Sequence, residues 1–333
     1  MVLWLANHKA GVVALITVLL ILLCLAVICI GGHFLAAYYT RKETAKCTAP
    51  GKMVTVHGEP MHVRVQGEGD GPVAVLLSGW STAVPSVDFQ PLVRQLQSLG
   101  IPTAIVEKFG YGFSGRTKVP RTVDNTVAEM REALQLAGVK PPYLLCGHSM
   151  SGVEMVRWSC LHPEEVAGIV SIDAPAPLAY THVPLPPAAL FGVQSFLCWC
   201  GLDRLLSHVP KYYKREDVYM NGFADLTAEE LAATRVFQRR NAANSCCLGE
   251  MKLLKQNAQT AGGKVPDGIP VTMCIASDTK KNRWETLQPE EETFIRENNA
   301  REVVVEGLHN LQHYDPATLA REIAALTRKK EDA

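Results

Sequence analysis

An α/β fold with a doubly wound, mostly parallel sheet of eight strands, an inserted helical cap and one amino-terminal transmembrane helix is what this 333-residue sequence predicts. Three observations carry that expectation. Short apolar runs and amphipathic helical stretches alternate along most of the chain, the pattern of a parallel sheet covered by helices. The alternation stops between Asp173 and Pro270, a stretch too long for a structureless loop in a compact domain. Ahead of all this, residues 10–40 contain no Asp, Glu, Lys or Arg, and about 20 apolar residues suffice to cross a bilayer core.

The apolar segment 10–40 outlasts the ~7–15-residue apolar region of a cleaved signal peptide, and no clear small-x-small site closes it. It therefore reads as an uncleaved single-span anchor between a short tail, 1–9, and a linker, 41–52. Trp4 on one side and Tyr38 and Tyr39 on the other suit the two interfaces. Lys9 stands alone on the amino side against Arg41, Lys42, Lys46 and Lys52 on the other. The positive-inside rule thus favours a cytoplasmic domain over residues 53–333.

Composition removes other classes. A net charge of +0 without a basic stripe argues against a nucleic-acid partner. The ten cysteines show no disulfide-framework spacing. Cys146 and Cys274 fall in expected core strands, and Cys198-x-Cys200 and Cys246-Cys247 lack a second Cys/His pair at zinc spacing. Neither a metal nor a cofactor is implied.

The elements follow in order. Met53-Val54-Thr55-Val56 and Met61-His62-Val63-Arg64-Val65 alternate around Gly58-Glu59-Pro60 as an edge hairpin. Val73-Ala74-Val75-Leu76-Leu77 and Thr103-Ala104-Ile105-Val106 are continuous apolar runs, as strands buried on both faces require. Between them Phe89, Leu92, Val93, Leu96 and Leu99 recur at helical spacing, and Gly100 ends that helix. A second amphipathic helix is expected over 123–137, closed by Gly138. Tyr143-Leu144-Leu145-Cys146, residues 167–172, 271–275 and 302–305 supply the remaining strands, and Asp315-Pro316 opens the last helix. Within the cap, placed at about 174–266, Thr227 and Glu230 have the spacing of a capping box.

The chemistry-bearing motif is Gly147-His148-Ser149-Met150-Ser151, set between the fifth strand and a helix-like run. It matches the nucleophile elbow G-x-S-x-G except that Ser151 replaces the last Gly. A serine on such a turn exposes its Oγ, and the following backbone N–H points at a developing oxyanion. With the elbow after strand five and a cap after strand six, residues 53–327 resemble the α/β-hydrolase fold superfamily. The likeness is to its capped branch of esterases, iminopeptidase-like peptidases, dehalogenases and epoxide hydrolases.

That resemblance implies a triad in chain order nucleophile, acid, histidine. Ser149 is the nucleophile, and serine argues against the dehalogenases and epoxide hydrolases, which carry Asp there. His309, after the last strand and before the Pro316 helix, is the base in preference to His313. Asp278, after the seventh strand, is the favoured acid, with Asp173, after the sixth, as the alternative. Trp80, in Ser78-Gly79-Trp80, and Met150 supply the oxyanion donors. Residues 107–114 resemble the D-x-x-G-x-G-x-S segment, whose glycines read as turn residues.

The substrate expected is a small ester, lipid-like or not, or a small amide. His148, Phe191, Phe196 and Trp199 are candidates to contact it, although the three aromatics equally suit the cap's own core. A ligand-binding protein on a hydrolase scaffold is the other reading, motivated by Ser151, Ser78 and the two candidate acids. Oligomeric state leaves no trace in the sequence.

Overall fold

The computed structural model describes residues 2–184, 188–206, 226–241 and 244–328. Eight strands form one sheet: β1 (Lys52–Val56), β2 (Glu59–Gln66), β3 (Val73–Leu77), β4 (Thr103–Glu107), β5 (Tyr143–His148), β6 (Val166–Ile172), β7 (Val271–Ala276) and β8 (Arg301–Val305). Their spatial order is β1-β2-β4-β3-β5-β6-β7-β8. Strand β2 runs antiparallel to β1 and β4, and every other pair is parallel. The expected eight-stranded, mostly parallel sheet is present. The hairpin turn falls one residue earlier than expected, at His57 and Gly58 with φ 51° and 79°. Positive φ at both central residues is what a type I′ two-residue hairpin requires, so Glu59 and Pro60 join the strand instead.

The main helices are α1 (Val2–Thr44), α2 (Gln90–Ser98), α3 (Val123–Ala137), α4 (Ser151–Leu161), α5 (Ala188–Trp199), α6 (Ala228–Asn241), α7 (Ser245–Ala261), α8 (Trp284–Glu297) and α9 (Pro316–Arg328). Successive strand residues point to opposite faces. Val75, Leu77, Leu145 and Ile169 share a buried cluster with Val127, Met130 and Val156. Their neighbours Ala74, Leu76, Leu144 and Val170 pack with Leu92, Leu96, Leu319 and Ile323. Two covered faces explain why these strands read as continuous apolar runs rather than alternating ones.

Helix ends obey the local rules. Gly138 closes α3 at φ 86°, a conformation that costs a residue with a Cβ. Asp315 accepts from Thr318 N–H at 2.9 Å at the start of α9. Ahead of α6, Thr227 N–H donates to Glu230 Oε2 at 2.8 Å, and Glu230 N–H donates to Thr227 Oγ1 at 3.2 Å. The capping box is therefore formed in both directions. Helix α7, inside the 174–266 span, packs into the body: Leu254 and Ala258 join its core, and Asn257 bonds Val123 N–H and Arg121 O, each at 3.0 Å.

Among the described residues, one helix, Gly11–Thr44, is long and apolar enough to cross a membrane. Each large aliphatic side chain from Val12 to Ile30 is at least half exposed. Residues 41–44, where a linker was expected, continue the helix. Its carboxyl-terminal part meets the cap: Arg204 bonds Glu43 at 2.9 and 3.0 Å and Thr40 at 2.7 Å. Gly32 lies so near Cys200 that an added Cβ would stand 2.3 Å from its carbonyl oxygen.

A charged cluster is buried under the elbow helix. Lys108, 1% exposed, places Nζ 2.6 Å from Glu154 and 3.8 Å from Glu250. Arg121 pairs with Glu129 at 2.6 Å and lies 3.9 Å from Glu250. Removing one partner of a buried ion pair leaves the other uncompensated. Lys108→Met is therefore expected to destabilise the protein by about 3–5 kcal/mol. Thermal unfolding of the full-length chain in neutral detergent checks this, and an unchanged midpoint would refute it.

Candidate active site

Strand β5 ends at His148 and α4 begins at Ser151, so Ser149 must reverse the chain. It does so at φ 56°, a left-handed conformation that persists only where the surroundings impose it. Ser149 N–H donates to Ile172 O at 3.3 Å. A Cβ on Gly147 would lie 2.6 Å from both Ser151 Oγ and Met155 Sδ. Ser151 fits where a glycine usually stands because its buried hydroxyl is shared between His148 O at 2.8 Å and Leu77 O at 3.1 Å. Gly152 closes against the loop after β6 instead: an added Cβ there would stand 2.7 Å from Pro175 O.

His309 projects from the loop after β8. Its Nε2 lies 2.9 Å from Ser149 Oγ and its Nδ1 2.6 Å from Asp173 Oδ2. His313, the competing histidine, instead sits 3.0 Å from Asp88. Asp173 leaves β6 at φ 47° and is 5% exposed. Its carboxylate also accepts from Ala276 N–H at 2.8 Å and Thr279 Oγ1 at 2.7 Å. Burial pushes this carboxyl pKa up, but His309 and the two other donors outweigh it and hold it below the ordinary value.

The expectation that Asp278 orients the histidine is corrected by this geometry. Asp278 Oδ1 accepts from Asn282 at 2.6 Å, one helical turn along Ser277–Asn282. Its N–H donates to Gly307 O at 3.2 Å, so it tethers the histidine loop through the backbone. Strand β6 lies beside β5 and β7 lies one strand further out. The chain emerging from β6 therefore reaches the gap between Ser149 and His309 first.

The Ser78-Gly79-Trp80 loop passes against the elbow. A Cβ on Gly79 would lie 2.8 Å from Ser149 Cβ and 3.0 Å from His148 Nδ1. Trp80 and Met150 thus stand on the two segments that meet at Ser149. Trp80 Nε1 donates to Cys247 O at 2.8 Å. Ser81, at φ 60°, donates its N–H to Tyr111 Oη at 3.1 Å, and Tyr111 donates to Glu250 at 2.5 Å. The buried charge cluster therefore holds the Ser78-Gly79-Trp80 loop in place. The 107–114 segment is a turn, as its glycines suggested: Glu107 accepts from Phe113 N–H at 2.6 Å, and Gly112 has φ 43°.

His148, expected to contact substrate, is 5% exposed and faces inward. Its Nε2 lies 3.1 Å from His309 O, the two rings are 4.7 Å apart, and burial followed by His309 pushes its pKa down to about 4. Through that contact it is joined to the backbone of the histidine loop. Phe196 and Trp199 do not join Ser149; they line a groove against α1, where Trp199 stacks on His33 at 4.8 Å. The side chain of Phe191 lies outside the described residues.

Sequence reasoning missed Tyr180 and Glu291. The Tyr180 hydroxyl hydrogen-bonds Ser149, and burial raises its pKa. Glu291 is 2% exposed, accepts from Ala176 N–H at 2.8 Å and lines a small space with Asp173, Arg283 and His309. A tyrosine just past a strand end in a Pro-rich stretch was the only signal for Tyr180. In the sequence, nothing separates Glu291 from the other carboxylates of its helix. Among the described residues one His/Glu group has ligand spacing, His162, Glu164 and Glu165. Arg131 already holds Glu165 at 2.5 and 2.8 Å, and the group offers no preformed cation cage.

A profile of the alpha/beta hydrolase fold matches residues 72–316. The chain belongs to this family. YbdG, an uncharacterized protein of Bacillus subtilis, is 27% identical over 286 residues, covering 84% of this chain and 86% of that protein. Among solved structures, a thioesterase domain from the curacin biosynthetic pathway aligns at a TM-score of 0.59 and 20% identity, covering 82% of this chain and 98% of that one. The enol-lactonase of Burkholderia xenovorans aligns at 0.57 and 16%, covering 83% and 99%. A carboxylesterase structure from Nitrososphaera gargenis aligns at 0.56 and 15%, covering 85% and 100%. At these identities the three share the alpha/beta hydrolase fold with this chain.

Two outcomes follow from the geometry. Asp173→Asn is expected to cut turnover of a reporter ester by about 10³–10⁴ through loss of histidine orientation, whereas Asp278→Asn stays within a few-fold. Steady-state rates compare them, and equal losses would refute the assignment. Burial, reinforced by Asp173 and only partly opposed by Ala176 N–H, lifts the Glu291 pKa from 4.5 to about 7. An acid raised in the folded state ionises first in the unfolded chain, so stability falls as pH rises between these values. The loss amounts to about 3 kcal/mol at most. Unfolding at pH 5 and 8 should show the decline in wild type and a flatter profile in Glu291→Gln.

Proposed function

We propose that this chain is a membrane-anchored serine hydrolase that cleaves a carboxylic ester, or a small amide, through an acyl-enzyme. The observation that carries the reading is the continuous hydrogen-bond chain Ser149–His309–Asp173, at 2.9 and 2.6 Å. Ser149 Oγ attacks the substrate carbonyl as His309 Nε2 takes its proton. Asp173 holds the imidazole through Nδ1 and stabilises the cation that forms. Charge on the carbonyl oxygen is met by the N–H groups of Trp80 and Met150. His309 then protonates the leaving group, and a water activated by the same base releases the acyl portion.

Thioesterase, lactonase and carboxylesterase activities among proteins of like fold support acyl transfer to water as the reaction class. A serine at position 149, rather than an aspartate, separates the chain from epoxide opening. The helix Gly11–Thr44 supports insertion in a bilayer, and the cations just after it, Arg41, Lys42, Lys46 and Lys52, favour a cytoplasmic catalytic domain.

A fluorophosphonate probe tests the mechanism without knowledge of the substrate. Full-length wild type should label, and labelling should vanish in Ser149→Ala and fall at least a hundredfold in rate in His309→Ala. Full labelling of folded Ser149→Ala would reject the nucleophile, and a folded wild type that does not label would favour the ligand-binding alternative.

A further inference from the structure

Away from Ser149, a groove of about 930 Å³ runs between α1 and the cap, within the size range of small-molecule sites. Its α1 wall spans the boundary at which the uncharged segment ends: His33, Ala36 and Thr40 precede the first cation, Arg41. Its two ends differ in chemistry. Phe196 and Trp199, 50% and 45% exposed, stack on one another at 6.2 Å between centroids, and Trp199 stacks on His33. The rest of the wall presents Arg41, Arg116, Arg239 and Arg240, together with Ser245 at the amino end of α7.

Among the described residues, no carboxylate lies within ion-pair distance of any of these four cations. Arg116 donates to Arg240 O at 2.9 Å, and Arg240 donates to Gly112 O and Ser114 O, so both use backbone carbonyls. Glu43, which Arg239 influences electrostatically along with Asp203, is held by Arg204. Burial and the adjacent Arg116 push the Arg240 pKa down, with Glu107 opposing. The 17-residue helix α7 adds a positive dipole end with Asn244 as its cap. An apolar aromatic wall beside guanidinium groups that have no close ion pair among the described residues, at the point where a helix leaves the uncharged segment, matches an amphiphile with a negative head.

We propose that this groove binds an anionic membrane phospholipid, its headgroup among Arg41, Arg116, Arg239 and Arg240 and the start of an acyl chain along Phe196 and Trp199. The proposal rests on the membrane-anchor reading for its lipid source. It sets the catalytic domain against an acidic leaflet and fixes the cap relative to α1, independently of the chemistry at Ser149.

The test uses the full-length protein in neutral maltoside micelles, titrated with pyrene-labelled phosphatidylglycerol or phosphatidylcholine and read by energy transfer from tryptophan. The anionic lipid is expected to bind at least tenfold more tightly than the zwitterionic one. Arg41→Gln with Arg239→Gln should remove that difference, on the order of tenfold for two lost surface cations, and Arg41→Lys with Arg239→Lys should keep most of it. Unchanged fluorophosphonate labelling shows that both variants are folded. Equal binding of the two lipids, an unaffected Gln variant, or displacement of the lipid by millimolar inorganic phosphate alone would overturn the proposal. Alkaline carbonate extraction of membranes from expressing cells tests the anchor separately: release of the chain rejects the anchor, whatever the micelle titration shows.

Discussion

The Asp173 carboxylate takes hydrogen bonds from His309, Ala276 and Thr279 while almost wholly buried. Burying an anion is expensive unless donors replace its water shell, and here two segments supply them: the end of β7 with the turn after it, and the loop after β8. That requirement links the ends of β6 and β7 to the loop after β8, and Ser149 is bonded to the end of β6 through Ile172. The strained φ angles at Ser149 and Asp173 are imposed by the same junction. Charge compensation and catalytic geometry are thus one constraint, met at the carboxyl ends of adjacent parallel strands.

A further buried electrostatic system supports the other side of the site. Lys108, Glu154, Glu250, Arg121 and Glu129 lie under α4 with little access to water. Such clusters seldom add net stability over a hydrophobic equivalent. Their use here is positional: Glu250 accepts from Tyr111, and Tyr111 accepts from Ser81, the residue after Trp80. The loop that carries Trp80 is fixed by hydrogen bonds that run through the protein interior rather than through solvent, where they would be weaker.

The amino-terminal helix does not stand apart from the rest of the chain. It continues unbroken to Thr44 and docks on the cap through Arg204, His33 and the close approach of Gly32 to Cys200. Cap position and helix position are therefore coupled. Phe196 and Trp199 line the groove at that contact, away from Ser149.

Sheet, helices, elbow and histidine loop were legible in the sequence because each rests on local chemistry. Apolar runs mark strands buried on two faces, Gly138 and Asp315 mark helix ends, and Gly147 and Ser149 mark a turn that needs small and polar residues at fixed offsets. Thr227 and Glu230 announce a capping box without any tertiary contact. The acid could not be decided this way: Asp173 and Asp278 both follow strands, and only the lateral order of β5, β6 and β7 makes Asp173 the one that reaches His309. Tyr180, Glu291 and the partners of Lys108 were invisible for the same reason, since their neighbours are distant in sequence. Local order along the chain determined the fold class and singled out Ser149 and His309 as the candidate nucleophile and base. Which carboxylate, which oxyanion supports and which surface the cap aromatics face were decided by the tertiary structure, because burial and charge pairing depend on segments that only folding brings together.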